Sequence, residues 1–312
     1  MPALPAVVVV LLLLPSTDHP AGARTPSRAP SQAAVASGAP GAPLVAAAVA
    51  PSTRAPLDDP AARLAPEAAL PPAPPCPDGM VLVDGQYCPS LKQVCVRWVD
   101  PPDGPYGYTR CAEFKRPAAC EGEREHRRYC IDRDEYVRPP EALPLVHLDW
   151  DQAEATCEER GARLCAESEW ELACEGDEML PYPYGYGRDP TACNFDRTDL
   201  GKMGEGLTDH RAPLDAFPQC VSPFGVHDMV GNVDEWTRRE GMTAPNRSAL
   251  HGGWWLPGRN NCRAATLAHP ESYSGKQVGF RCCADAKAPA HEDADGHDGV
   301  AAKGADSADH TS

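Results

Sequence analysis

Apolar runs along this chain are short, and their period changes several times. An apolar stretch from Val7 to Leu14, followed by Pro15 and the small residues Ala21-Gly22-Ala23, has the pattern of a secretory signal over residues 1–23, although no Lys or Arg precedes it. The run is too short to cross a bilayer. Residues 24–75 are dominated by Ala and Pro with no sustained period, which predicts an extended, disordered linker. Residues 80–83 read as a strand ending in a turn at Asp84-Gly85, and residues 129–136 as a second strand. Pro139, Pro140 and Pro144 then force an extended connection.

Helical spacing enters after this. Asp149 with Gln152 three residues on is a capping box, Trp150, Ala153 and Cys157 share one face, and Gly161 marks the end. A shorter helix is predicted over 167–174, with Trp170, Ala173 and Cys174 on one side and Gly176 as its stop. Beyond Gly176 the helical period is lost. Residues 181–187 form an aromatic turn, and the remainder reads as loops with short strands such as 279–283. From 285 to 312 the chain is an acidic tail of disordered character.

Composition narrows the function classes. A formal charge of -16 argues against nucleic acid as a partner, and no basic amphipathic stretch marks a membrane-binding helix. The 14 cysteines are even in number and contain no C-x-x-C pair, which points to disulfides in an oxidising compartment and to a secreted or extracytoplasmic protein. Cys76, Cys88, Cys95, Cys111, Cys120 and Cys130 stud a loop-rich region, and their pairing is open at this level. Cys157 and Cys174 sit on the apolar sides of the two helices, as disulfide anchors do. Residues 222–237 concentrate Gly225, Gly231, Asp228, Asp234 and Glu235 in one segment, a candidate cation loop whose plain alternative is a surface turn with solvated acids.

R-L-C-A-E-S-E-W-E-L-A-C from Arg163, Y-P-Y-G from Tyr182, F-G-V-H-D-M-V-G-N-V-D-E-W from Phe224, H-G-G-W-W from His251 and G-F-R-C from Gly279 occur in that order. In these motifs the chain resembles the formylglycine-generating enzyme, or sulfatase-modifying factor, family. The resemblance implies an α+β, C-type-lectin-like fold with little regular secondary structure, rich in disulfides and occupying residues 76–284. It implies disulfides joining Cys157 with Cys282 and Cys174 with Cys262. Cys283, which a strained vicinal bridge would not satisfy, is expected to pair with Cys165 or Cys193.

The resemblance also implies structural calcium, held by Asp228, the carbonyls of Gly231 and Val233, and Glu235. A second site falls on Asn194, Phe195, Glu205 and Leu207. Copper is not expected. The family's chemistry needs two thiolates for a soft copper(I) ion. Here Gly252-Gly253 is followed by Trp254, Trp255, Leu256 and Pro257, with no thiol before Cys262, itself the match of a disulfide cysteine. Trp254 stands where the family has its active-site Ser. No catalytic residue is therefore assigned. The expected function is a calcium-stabilised module for a protein, peptide or small-molecule ligand, with Tyr182, Trp254, Trp255 and Arg259 as the candidate contact surface. The alternative is an oxidoreductase of the same family acting on a protein or peptide through a different metal site.

Overall fold

The computed structural model describes residues 74–201 and 206–288; the signal-like segment, nearly all of the linker, Glu205 and the tail from 289 lie outside the described residues. The elements are β1 (Met80–Tyr87), β2 (Leu91–Lys92), β3 (Cys95–Trp98), β4 (Cys111–Phe114), β5 (Ala119–Cys120), β6 (Glu125–Asp132), α1 (Trp150–Glu158), β7 (Arg163–Leu164), α2 (Glu167–Glu175), β8 (Asp234–Arg238), β9 (Ser248–His251), β10 (Ala265–Thr266), β11 (Val278–Phe280) and β12 (Cys282–Asp285). The fold is α+β with little regular secondary structure and many covalent cross-links.

Two four-stranded sheets carry the architecture, one in the order β1-β6-β12-β7 and the other β10-β9-β8-β11. The first is antiparallel throughout; in the second, β11 lies parallel to β8. The chain steps from the second sheet to the first across one residue, Arg281, which separates β11 from β12. That crossing fixes the sheets to each other and places everything near Arg281 in the interior.

Both helices form where their spacing predicts. In α1 the Asp149 side chain accepts from the Gln152 amide while Gln152 reaches back to the Asp149 amide, and Trp150, Ala153 and Cys157 are buried. They pack against Trp236, Leu250, Val278 and Phe280. In α2, Glu169 accepts from the Ala166 amide and is itself held by the Arg163 guanidinium. The α2 face carrying Trp170, Ala173 and Cys174 enters the larger core with Val83, Tyr129 and Ile131. Gly176 ends the helix at φ +63, and a Cβ there would also strike Pro223.

Two strand boundaries differ from the sequence reading. β1 runs on through Asp84-Gly85 instead of turning, with Gly85 opposite Arg127 of β6. The glycine serves close approach, since a Cβ would lie 2.6 Å from Asp177 Oδ1 and 2.9 Å from Phe224. β6 ends at Asp132 rather than near Tyr136, because Arg281 takes the Asp132 and Arg133 carbonyls at that point.

All 14 cysteines are paired. The structure joins Cys157 to Cys282 and Cys174 to Cys262, tying each helix to the C-terminal third of the chain. The adjacent Cys283 bonds Cys165: successive residues of β12 face opposite ways, so one reaches α1 and the other the α2 side. Cys193 pairs with Cys220. The six early cysteines pair among themselves as Cys76–Cys130, Cys88–Cys120 and Cys95–Cys111. Replacing Cys157 and Cys282 together with Ala, which opens a link across 125 residues of sequence, is expected to lower the unfolding free energy by about 2–5 kcal/mol, read as a shift in the urea midpoint.

Candidate functional site

The site is built around two buried side chains of opposite charge. Glu235 on β8 is 1 % exposed and Arg281 is fully buried. Arg281 Nη2 and Nε donate to the two Glu235 oxygens at 2.6 Å each, a fork matched to a carboxylate. Trp170 Nε1 donates to the same carboxylate at 2.6 Å. The remaining guanidinium hydrogens go to the backbone carbonyls of Asp132, Arg133 and His227. Gly252 packs against this assembly: a Cβ on it would lie 2.6 Å from the Met229 carbonyl and 3.2 Å from the Trp170 ring, and its own carbonyl accepts from the Gly231 amide. The segments containing Trp170, Gly231 with Glu235, Gly252 and Arg281 thus meet at one point.

On the Arg281 side lie two further buried carboxylates. Glu135 accepts from Asn232 Nδ2 and from the Val233 amide. Burial raises its carboxyl well above the ordinary range, and the nearby Asp228 and Glu235 charges push it further in the same direction. Asp228 sits in the left-handed region at φ +53. Its Oδ1 is buried with no hydrogen-bond partner among the described residues. Burial pushes its carboxyl up to about 7, opposed by Arg281 and reinforced by Asp134 and Glu235. His227, next in the chain, is turned away to Asp134 at 2.8 Å.

Of the first proposed set, Asp228 has an unpartnered oxygen that a hard cation could use, whereas both Glu235 oxygens already accept from Arg281 and Trp170, and no group of three or more His, Cys, Asp or Glu side chains among the described residues is arranged to hold a metal ion. The second proposed set does not fit. Asn194 Oδ1 already accepts from Arg197 Nε, and its amide nitrogen donates to His210 and Asn232. The Leu207 carbonyl is taken by the Lys276 ammonium, which places positive charge where a cation would bind. Phe195 is a core residue, and Glu205 falls outside the described residues.

The proposed contact surface divides in the structure. Tyr182 and Trp255 are 0 % exposed. The Tyr182 hydroxyl donates to the Cys111 carbonyl, and Trp255 packs with Val146 and Val233. Both are corrected to core residues, because each ring is enclosed on all sides. Trp254 and Arg259 do line a cavity of about 150 Å³, together with Asp234, Gly253 and Asn260. Asp234 was singled out in the sequence only as a member of an acidic loop. In the structure it points to the other side of β8 from Glu235, and burial pushes its carboxyl up to about 7 against the opposing influence of His251 and the Gly253 amide. Glu135 and Arg281 had no periodic signal to reveal them; a charged residue inside an otherwise apolar motif, as in G-F-R-C, was the one available clue.

This cavity lies in the loop after Gly252-Gly253, where the resemblance would place the family's copper-binding thiols. Cys262 follows it directly and is locked to Cys174, so the loop offers no thiolate. A disulfide-stapled α+β domain with a buried Arg–Glu hub and a thiol-free loop cavity defines the class. Residues 106–286 match the family described as sulfatase-modifying factor enzyme 1-like domain, and the chain belongs to that family.

Among relatives, it is 34% identical over 167 residues to an inactive C-alpha-formylglycine-generating enzyme 2 of Bos taurus, covering 50% of this chain and 55% of the relative. It is 30% identical over 167 residues to the formylglycine-generating enzyme of Mus musculus, covering 46% of this chain and 44% of that protein. The chain therefore spans about half the length of these relatives. Among solved structures, PvdO from Pseudomonas aeruginosa aligns at 18% identity with a TM-score of 0.43, over 66% of this chain and 94% of that one.

Substituting Arg281→Met leaves Glu235 buried without its cation. The expected loss is about 3–5 kcal/mol of unfolding free energy. The exposed Arg97→Met, whose pair with Glu113 is solvated, should change stability by less than about 1 kcal/mol in the same denaturation series.

Proposed function

We propose that this chain is a secreted, calcium-stabilised ligand-binding member of the sulfatase-modifying factor family, without formylglycine-generating copper oxidase activity. The observation that carries this is the state of the cysteines. Oxygen activation on copper(I) in this family needs a pair of thiolates, and every cysteine here, Cys262 included, is committed to a disulfide. Trp254 and Trp255 occupy the loop instead, one lining the cavity and the other packed in the core with Val146 and Val233. The relative named an inactive C-alpha-formylglycine-generating enzyme 2 supports the same view.

Extracytoplasmic placement is supported by the seven disulfides and by the signal-like segment 1–23. No helix among the described residues is long and apolar enough to cross a membrane. Calcium is supported by the unpartnered Asp228 oxygen and by the surplus of buried carboxylates over Arg281. The ion would neutralise charge that Arg281 alone leaves uncompensated, and would brace the loop beneath Gly252 and Gly253. Its role is structural.

The decisive measurement is alkylation of the purified, unreduced protein followed by intact-mass and elemental analysis. No alkylated cysteine and no bound copper are expected, and oxygen uptake with a cysteine-containing peptide should stay at background. Two alkylated cysteines that bind copper(I) and restore oxygen uptake would overturn the proposal. Removing calcium with a chelator should lower the midpoint of thermal unfolding by about 5–10 °C, reversibly on calcium addition. Asp228→Asn should abolish that calcium response, and an unchanged response would refute the role of Asp228.

A further inference from the structure

The cavity beside Trp254 contains an arrangement that ligand binding in general does not require. Of the side chains lining it, two are ionisable, Asp234 and Arg259, and the charges they can carry are opposite. Each is fixed to the cavity wall. Asp234 Oδ1 accepts from the Gly253 amide at 3.2 Å, and Arg259 Nη2 donates to the Ala265 carbonyl at 3.3 Å. Neither belongs to an ion pair among the described residues, although 23 such pairs occur in the protein and most of its buried charges are matched.

An anion and a cation that bound one small cavity, yet do not meet, are complementary to a molecule bearing both charges. Of the two neutral polar side chains in the lining, Thr266 and Asn260, the amide is already committed: Asn260 Nδ2 donates to the Trp254 carbonyl, and its Oδ1 accepts from Arg188. What remains is one carboxylate on the inner wall, one guanidinium at the exposed mouth, the Thr266 hydroxyl and the Trp254 ring. A volume of about 150 Å³ admits a molecule of a few heavy atoms and excludes a folded peptide segment.

Resting on the ligand-binding function proposed above, we infer that this cavity takes a small zwitterion of α-amino-acid type. Its ammonium group is held by Asp234, its carboxylate by Arg259, and a short side chain lies against Trp254. The guanidinium fork suits a carboxylate in two-point contact, which a lone ammonium ion or a neutral molecule cannot exploit. Loss of either partner leaves a desolvated ligand charge unmatched, so both ends are needed for binding.

The experiment is a calorimetric titration of the whole protein, with calcium present, against L-alanine, ethylamine and acetate, with tryptophan fluorescence as a second readout. Binding of alanine at least about tenfold tighter than either singly charged probe is expected, a difference of about 1.4 kcal/mol. Arg259→Ala, at an exposed position whose bond to the Ala265 carbonyl is solvated, should weaken alanine binding by tenfold or more and shift the thermal midpoint by no more than about 2 °C. Asp234→Asn should do the same for the ammonium end, and circular dichroism would establish that it is folded. Alanine binding no tighter than ethylamine or acetate, or unaffected by Arg259→Ala, would overturn the inference. Such a result leaves the thiol-free binding function standing. Free copper-binding thiols would instead remove that function, whatever the titration gives.

Discussion

The buried pair of Arg281 and Glu235 is the constraint on which the rest of this domain depends. A guanidinium removed from water costs several kcal/mol unless each of its donors is met. Here Glu235 meets two of them, and backbone carbonyls from the end of β6 and from His227 meet others. Because Arg281 is the one residue between β11 and β12, satisfying it fixes where the chain leaves one sheet and joins the other. Because Glu235 also accepts from Trp170, the same pair sets the position of α2. A hydrophobic replacement of equal volume would not specify this crossing.

Covalent links complete what the ion pair begins. Two short helices and strands of two to eight residues bury too little apolar surface to hold long loops in place. The vicinal cysteines immediately after Arg281 grip α1 and the start of α2 from opposite faces of β12. The Cys174–Cys262 bridge then holds the far end of α2 against the loop that bounds the Trp254 cavity. Ion pair, disulfides and the Asp228 loop all act on the same few segments, which is why these motifs carry glycine at points of contact: Gly252 has no room for a side chain beside Trp170.

The functional consequence is a preserved support beneath an altered loop. β8 projects Glu235 inward to Arg281 and Asp234 the other way into the cavity. The scaffold that positions the loop is intact, whereas the loop itself presents a ring, a carboxylate and a guanidinium in place of thiolates.

Local signals determined a good part of this. The helices were legible because α1 carries its cap and its apolar spacing within one segment, and α2 carries the same spacing with glycine at its end. Ordered motifs made the family and two of its disulfides legible, and the even cysteine count made extensive cross-linking an expectation. Tertiary structure alone decided the rest. Gly85 could be read as a turn because close approach by Asp177 and Phe224 leaves no trace in the neighbouring residues. Tyr182 and Trp255 could be read as surface because an aromatic side chain in a loop has no period to reveal which way it faces. The pairing of the first six cysteines needed the strand register of β1 with β6 and of β3 with β4. The placing of Asp234 and Arg259 on one cavity, and the meeting of Glu235 with Arg281 through the core, bring together residues 25 and 46 positions apart in sequence. Sequence specifies which charges the chain carries; only the packing decides which are matched within the protein and which are not.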